Sequence, residues 1–377
     1  MLDFSLTEEQ EEIRRLAHML AVEQLRPQGR SAEKSGDIAP ALMQTLAQTG
    51  LTTPFPEIYG GSGDLKAITY VVIAEELGFG DGGLALNIIG SMMGPLTVAL
   101  AGDEQQKNAY IPPFCDSRKG ADERGSLAFA ERSGGYAVGD ISATVRFDGE
   151  QYIINGTKRD VVHGNRSRPR VVLLRQEHTT GDEGIGAFLL PADLTGLEII
   201  PDTHKLGLLA APTVSYIFHD VRLPASMCLG GPGEAGKAGK AGKAGSDGAL
   251  RAAALYALLR GGIACGMAQA ALEYAGGYAK ERIAFGRPIV SYQGIAFMLA
   301  EMAMKLDAAR LLLWHAAVNW DHAVDSARTI HDAEAAQYQA LNIAKSATTD
   351  AIQIMGGAGF IQDHPVEMWM RNAAAME

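Results

Sequence analysis

Two short segments carry side chains whose chemistry goes beyond packing. In Lys280-Glu281-Arg282-Ile283-Ala284-Phe285-Gly286-Arg287-Pro288, Arg282 offers a planar guanidinium. Such a group forms bidentate, charge-assisted hydrogen bonds to phosphate oxygens. The same residues also spell an ordinary helix end, with charge, a Gly-Pro turn and a new helix by Gln293; both readings stay open. The second segment is Asp350–Phe360, with Gly356, Gly357 and Gly359. One glycine suffices to cap a helix. Three in four positions suggest that backbone approaches a ligand closely. The stretch follows a helical pattern rather than a strand, so a Rossmann dinucleotide site is not supported. The nine histidines show no HxxxH or HExxH spacing, and no metal site is expected.

The elements that must position these segments fall into three zones. Residues 1–123 read as a helical domain. Thr7-Glu8-Glu9-Gln10 has capping-box spacing, and Ile13, Leu16, Ala17, Leu20 and Ala21 follow at helical intervals. Pro27 predicts a stop. Further helices fit Ala41–Gln48, Lys66–Leu77, Leu84–Leu100 and Asp103–Tyr110, before Pro112-Pro113 breaks the pattern. Residues 124–232 read as a compact antiparallel β-domain. Its β-prone runs are Ser142–Phe147, Tyr152–Ile154, Val171–Leu174, Gly186–Leu190, Leu197–Ile200 and Val214–Phe218, with Asp148-Gly149 and Asn155-Gly156 as tight-turn signals. The Gly/Lys/Ala-rich tract 233–248 predicts a flexible linker, dispensable for folding. Residues 249–377 hold long helical patterns over Ala249–Ala279, Gln293–Trp320 and Asp332–Met355, an antiparallel bundle.

Composition narrows the function classes. The chain has 377 residues, 47% hydrophobic and 20% charged, the balance of a folded globular protein of several domains. A formal net charge of -11 argues against general binding to nucleic acid or anionic membrane. Three cysteines without a CxxC pair fit a reduced, cytoplasmic compartment. The acidic start Met1–Glu9 is no signal peptide, and no uninterrupted apolar run of about 18 residues predicts a membrane span.

Together the two segments resemble the acyl-CoA dehydrogenase family. The likeness lies in Glu281-Arg282-x-x-Phe285-Gly286 through Gln293, in Phe297–Lys305, in Gln353-x-x-Gly356-Gly357-x-Gly359-Phe360, and in Pro365-Val366-Glu367 with Met370–Ala373. Upstream, Pro56-Glu57-x-Tyr59-Gly60-Gly61 and Gln106-Lys107 with Pro112-Pro113 also fit. The C-terminal part looks closest to the medium-chain type. The resemblance implies the α+β fold of that family: an N-terminal helical domain, a central antiparallel β-domain and a C-terminal four-helix bundle. It implies FAD as cofactor, an acyl-CoA substrate, an electron-transferring flavoprotein as acceptor, and a dimer or tetramer in which flavin sites are shared across an interface. By resemblance Arg282 and Phe285 hold the diphosphate side of an FAD belonging to a neighbouring copy. Gln353, Gly356, Gly357 and Gly359 line its adenosine end, with Gln293 nearby. Phe129 and Glu131 belong to the loop against the flavin. The run Phe297–Met304 is expected in the bundle core.

Several positions depart from the family pattern. Ala130 and Arg132 replace the threonine and proline of a Thr-Glu-Pro-Gly-type loop, and in Lys158–His163 Asp160 and Val162 replace an aromatic and a threonine. Hydroxyls bonded to a flavin ring tune its electronics, and two are expected to be lost. The family's α-proton is removed by a carboxylate. In the medium-chain type that glutamate falls nine residues after Arg371, at position 380, whereas the sequence runs to Glu377. In other types the position corresponds to Tyr256, and tyrosine, with an ordinary pKa of about 10, is a poor base. No catalytic residue is therefore assigned. Glu377 is expected on a solvated terminal turn, and the chain ending there is expected to be slow with acyl-CoAs. Three functions stay open: α,β-dehydrogenation of an acyl-CoA to a 2-enoyl-CoA, a non-catalytic FAD- or acyl-CoA-binding subunit of a hetero-oligomer, and a flavin monooxygenase or oxidase.

Overall fold

The computed structural model describes residues 5–63, 65–116, 119–132, 135–182, 184–231, 243–322 and 326–377. The chain opens on α1, Glu8–Leu20, where Thr7 and Gln10 exchange both bonds of a capping box. Pro27 does not stop it. A widened turn, Ala21–Leu25, passes straight into α2, Arg26–Ser35. Proline is tolerated there because it stands in a first turn, where its missing N–H costs little. Next come α3, Pro40–Gln48, α4, Ala67–Gly80, and α5, Gly82–Ala101. Asp81 separates α4 from α5 and caps the latter by accepting from the Leu84 N–H at 2.8 Å. Two short helices, α6, Glu104–Tyr110, and α7, Pro112–Cys115, end this region.

Seven strands form the middle layer. They are β1, Ser126–Ala128, β2, Thr144–Phe147, β3, Gln151–Val162, β4, Arg170–Gln176, β5, Ile185–Leu189, β6, Leu197–Pro201, and β7, Thr213–Pro224. Their order is β1-β4-β2-β3-β7-β6, with β5 on the free side of β4. Most ladders are antiparallel, as expected, but β4 runs parallel to both β1 and β2. Asp148-Gly149 turns between β2 and β3. Asn155-Gly156 does not turn: it lies inside β3 at a register shift against β7. Gly156 has φ 129°, and a Cβ there would stand 2.6 Å from the Ala143 backbone, so the bulge requires glycine.

Four helices close the chain: α8, Lys243–Glu281, α9, Gln293–Asp321, α10, Ser326–Met355, and α11, Val366–Ala374. A small hairpin of β8, Ile283–Ala284, and β9, Arg287–Pro288, joins α8 to α9. Helix α8 overturns part of the expected linker, because it begins at Lys243 rather than after 248. The Ser246 hydroxyl donates to the Ile185 carbonyl at 2.7 Å, and Gly245 seats against Leu229. Residues 233–242 of that tract lie outside the described residues.

One core runs through the helical regions, and a second fills the outer face of the sheet. Helices α4 and α8 meet closely enough that a Cβ on Gly266 would lie 1.9 Å from the Glu75 carbonyl, and one on Gly78 2.3 Å from that of Ile263. Helix α5 and the segment Gly245–Glu281 are long and apolar enough to cross a membrane, but both are mostly packed inside the protein. Within Phe297–Met304 the expected core placement fails at both ends: Phe297 and Met304 are exposed, while Met302 is buried.

Candidate functional site

The loop leaving β1 carries Phe129 and Glu131, both buried. The Glu131 carboxylate is fully engaged inside the chain. Lys158 Nζ, from β3, lies 2.6 Å from Oε1; the Ala143 N–H donates to the same oxygen at 3.0 Å, and the Ser142 N–H and hydroxyl donate to Oε2. Lys158 also donates to the Phe129 carbonyl at 3.2 Å. Burial pushes the Lys158 ammonium down to about 8, against the pull of Glu131. Burial alone would raise Glu131, yet Lys158 and the donors from Ser142 and Ala143 outweigh it and hold the carboxyl below its ordinary value. Glu131 thus anchors the loop rather than presenting its carboxylate to a ligand.

Beside this pair stands an aromatic cluster. Phe129 meets Tyr136 and Tyr256 edge to face at centroid distances of 5.4 and 6.0 Å, and the two tyrosines meet at 6.1 Å. Tyr256, from α8, is buried, and burial raises its phenol well above the ordinary value. At neutral pH it is uncharged and cannot serve as a base. One turn further along α8, the Arg260 guanidinium lies 3.4 Å from the centre of the Tyr136 ring and donates to the Met376 carbonyl. Sequence reasoning passed over Arg260. The signal was there, since it is the only charged residue between Ala252 and Gln269.

A second network, buried at Asn87 and His163 and reaching the surface at Asp37 and Arg166, ties α5 to the end of β3. His163 Nε2 is 3.1 Å from the Asn87 side-chain oxygen, and Nδ1 is 3.1 Å from Arg166. Asn87 donates to Asp37 at 2.8 Å, and Asp37 pairs with Arg166 at 2.5 Å. Burial, with Arg166 and Arg124 nearby, pushes the His163 imidazole down to about 3, so it is neutral.

The remaining expected residues face outward. Arg282 follows the last residue of α8, and Phe285 and Gly286 turn the β8–β9 hairpin with φ 51° and 84°. That pair of left-handed residues makes a type I′ turn, which leaves the Phe285 ring 97% exposed. Gln293 is the first residue of α9 and is exposed. After α10, Gly356 takes φ 59°, and a Cβ on Gly356 or Gly357 would meet nothing within 4 Å. Gln353 and both glycines are exposed, whereas Gly359 is buried against Ile352 with no room for a side chain. The structure therefore gathers Phe129 and Glu131 in one interior wall, and sets Arg282, Phe285 and Gln293 in one outward connection and the Gln353–Gly359 turn in another.

These residues fit the diphosphate and adenosine portions of FAD. Bare backbone and an exposed guanidinium suit a phosphate-bearing ligand. At the two positions where the family pattern places hydroxyls, Ala130 and Val162 are buried and apolar, and Val162 packs onto Gly90. Glu377 pairs with Lys345 at 2.7 Å near the surface, as expected of a terminal turn.

Comparison with known proteins gives one answer along the whole chain. Residues 7–118 match the acyl-CoA dehydrogenase N-terminal domain, 126–221 the middle domain and 245–377 the C-terminal domain. The probable acyl-CoA dehydrogenase YngJ of Bacillus subtilis is 32% identical over 379 residues, covering 100% of this chain and 95% of its own length. The solved butyryl-CoA dehydrogenase of Megasphaera elsdenii is 29% identical, with a TM-score of 0.83 over 100% of this chain and 95% of that one. A solved chain described under the electron transferring flavoprotein of Acidaminococcus fermentans is 30% identical, with a TM-score of 0.81, covering 100% and 94%.

Proposed function

The chain belongs to the acyl-CoA dehydrogenase family of FAD-dependent oxidoreductases, and on that premise we propose that it oxidises the Cα–Cβ bond of an acyl-CoA thioester to a 2-enoyl-CoA. The observation that carries this reading is the outward-facing pair of FAD-type segments, the Arg282–Gln293 connection and the Gln353–Gly359 turn. Their solvent-facing backbone and guanidinium are built for a ligand that a second copy shares. Exposed Phe285, Phe297, Tyr338 and Phe360 extend the apolar surface on the same helices and connections. Burial of such a surface against another copy supports a dimer or tetramer.

When bound, FAD supplies the two-electron acceptor for the bond being oxidised. Arg282 neutralises its diphosphate, and the glycine turn lets backbone N–H groups approach the nucleotide. The Glu131–Lys158 pair fixes the loop Phe129–Arg132 at the ring side. Tyr256 forms an uncharged wall of the acyl site. An electron-transferring flavoprotein is the proposed acceptor, in a cytoplasmic setting that three free cysteines suit. The neutral Tyr256 and the apolar Ala130 and Val162 favour one second reading, a subunit that binds FAD or acyl-CoA without oxidising it. The deciding experiment is anaerobic mixing of the FAD-loaded protein with saturated acyl-CoAs of graded length. Bleaching of the flavin absorbance is expected, and it is expected to be slow, because the neutral Tyr256 is no base and no carboxylate is assigned to take the α-proton. Tight acyl-CoA binding with undiminished colour would replace dehydrogenation by the non-catalytic reading.

A further inference from the structure

Arg30, on α2, reaches backbone 332 residues further along the chain. Its Nη2 donates to the Gln362 carbonyl at 3.3 Å and to the His364 carbonyl at 3.0 Å. The same guanidinium pairs with Glu33 at 3.4 Å and with Glu367. Both acids have a second partner in Arg371, which contacts Glu33 and lies 2.8 Å from Glu367. Neither acid therefore depends on Arg30 for a counter-ion. What Arg30 adds is a grip on two carbonyls, and a planar guanidinium holds such acceptors in fixed directions.

Those carbonyls belong to the connection 361–365, which leads from the glycine turn to α11. Ile361, Gln362 and Asp363 are exposed, and the connection is neither helix nor strand. Tyr274, from α8, holds it at one more point, with its hydroxyl 2.8 Å from His364 Nδ1. On its upstream side the turn Gly356–Phe360 is fixed by α10 and by Gly359 packed on Ile352. Gly356 and Gly357 have open space where a side chain would stand, so packing does not hold them. The downstream side is set by the connection that Arg30 grips.

We propose that Arg30 is a positioning residue for the cofactor: from the N-terminal helical region it fixes the connection after Gly356–Phe360, and so holds the bare backbone of that turn in the shape offered to the adenosine portion of FAD. The inference rests on the FAD reading above. Exposed backbone loses conformational freedom when it takes a ligand, and holding it in shape beforehand lowers that cost.

The test is hydrogen–deuterium exchange of the full chain, read by mass spectrometry over peptides covering 353–365, together with FAD titration. In Arg30→Met those peptides should exchange faster while α2 and α11 keep their protection, and the FAD dissociation constant should rise about three- to tenfold. Arg30→Lys keeps a charge beside Glu33 and Glu367 without the planar fork, so it tests the carbonyl grip even if Arg30→Met does not fold. Intermediate exchange and affinity are expected of it, and parent values in both overturn the proposal. Unchanged exchange over 353–365 in Arg30→Met overturns it too, as does faster exchange spread equally over α2 and α11, which marks general loosening. In the unaltered protein, FAD should slow exchange at the same peptides. Absence of that slowing overturns the placement of adenosine at the turn and this inference with it, whereas slowing by FAD with no effect of either variant overturns this inference alone.

Discussion

The two sides of the proposed cofactor site are built on opposite principles. The interior wall of Phe129, Glu131, Lys158 and Tyr256 is buried, and its ionised groups satisfy one another within the chain. The outward segments around Arg282, Phe285 and Gly356 are exposed and keep their polar atoms facing solvent. The wall therefore contributes to the stability of the single chain, and the outward segments are those to which the proposed function gives ligand and copy recognition. A substitution in the wall should unfold the protein before it changes binding. A substitution outside should change binding and leave the fold alone.

The sharpest break of that contrast is Lys158→Met. It leaves Glu131 buried without its counter-ion, and losing one partner of such a pair costs about 3–5 kcal/mol. Urea denaturation should show that loss. A variant as stable as the parent would mean that the pair is not a structural anchor. The outward counterpart is Arg282→Ala. Removing one charge-assisted phosphate contact costs about 1.5–3 kcal/mol of FAD affinity, roughly ten- to a hundredfold. The melting temperature of the cofactor-free protein should not move. Unchanged flavin content would count against the phosphate role.

The smallest effect is a pH slope from His163. Its folded pKa, about 3, lies below its ordinary 6.5, so the folded state binds fewer protons than the unfolded one between those values. Stability from this group is complete above pH 6.5 and is lost as pH falls toward 3, at up to about 1.4 kcal/mol per pH unit. Urea midpoints at pH 7, 6 and 5 should fall in order, and His163→Asn should flatten that trend. A parent protein whose midpoint does not move over this range would show that the imidazole is not held neutral.

Much of this division was legible in the sequence, and the illegible parts share a cause. Helical periodicity placed α4, α5 and α9 because each carries a long run of regular local signals. Pro27 misled, since a local rule cannot see that a widened turn upstream lets the helix continue. Asn155-Gly156 misled in the same way: the glycine serves a close approach to Ala143, the residue just before β2. The tract ending at 248 looked featureless, yet Ser246 and Gly245 gain partners at Ile185 and Leu229 only when the sheet is present. In the site, Arg282, Phe285, Gln293 and the Gln353–Gly359 turn stood out because their residue types repeat a local motif, which spacing alone reveals. The Lys158 partner of Glu131 and the placement of Arg260 depend on contacts between distant elements, which spacing does not reveal.

The close crossing of α4 and α8 also sets a timetable for synthesis. Glu75 and Gly266 touch in the finished protein but are 191 residues apart in the chain. At roughly 5–20 residues per second, a ribosome needs about 10–40 s to deliver the second after the first. Throughout that interval the faces of Ala67–Ala101 that α8 covers in the finished protein lack that cover, although α1 and the neighbouring N-terminal helices can already pack on the rest. The N-terminal region must wait, shielded by transient collapse or by chaperones, for a helix encoded two-thirds of the way along the message.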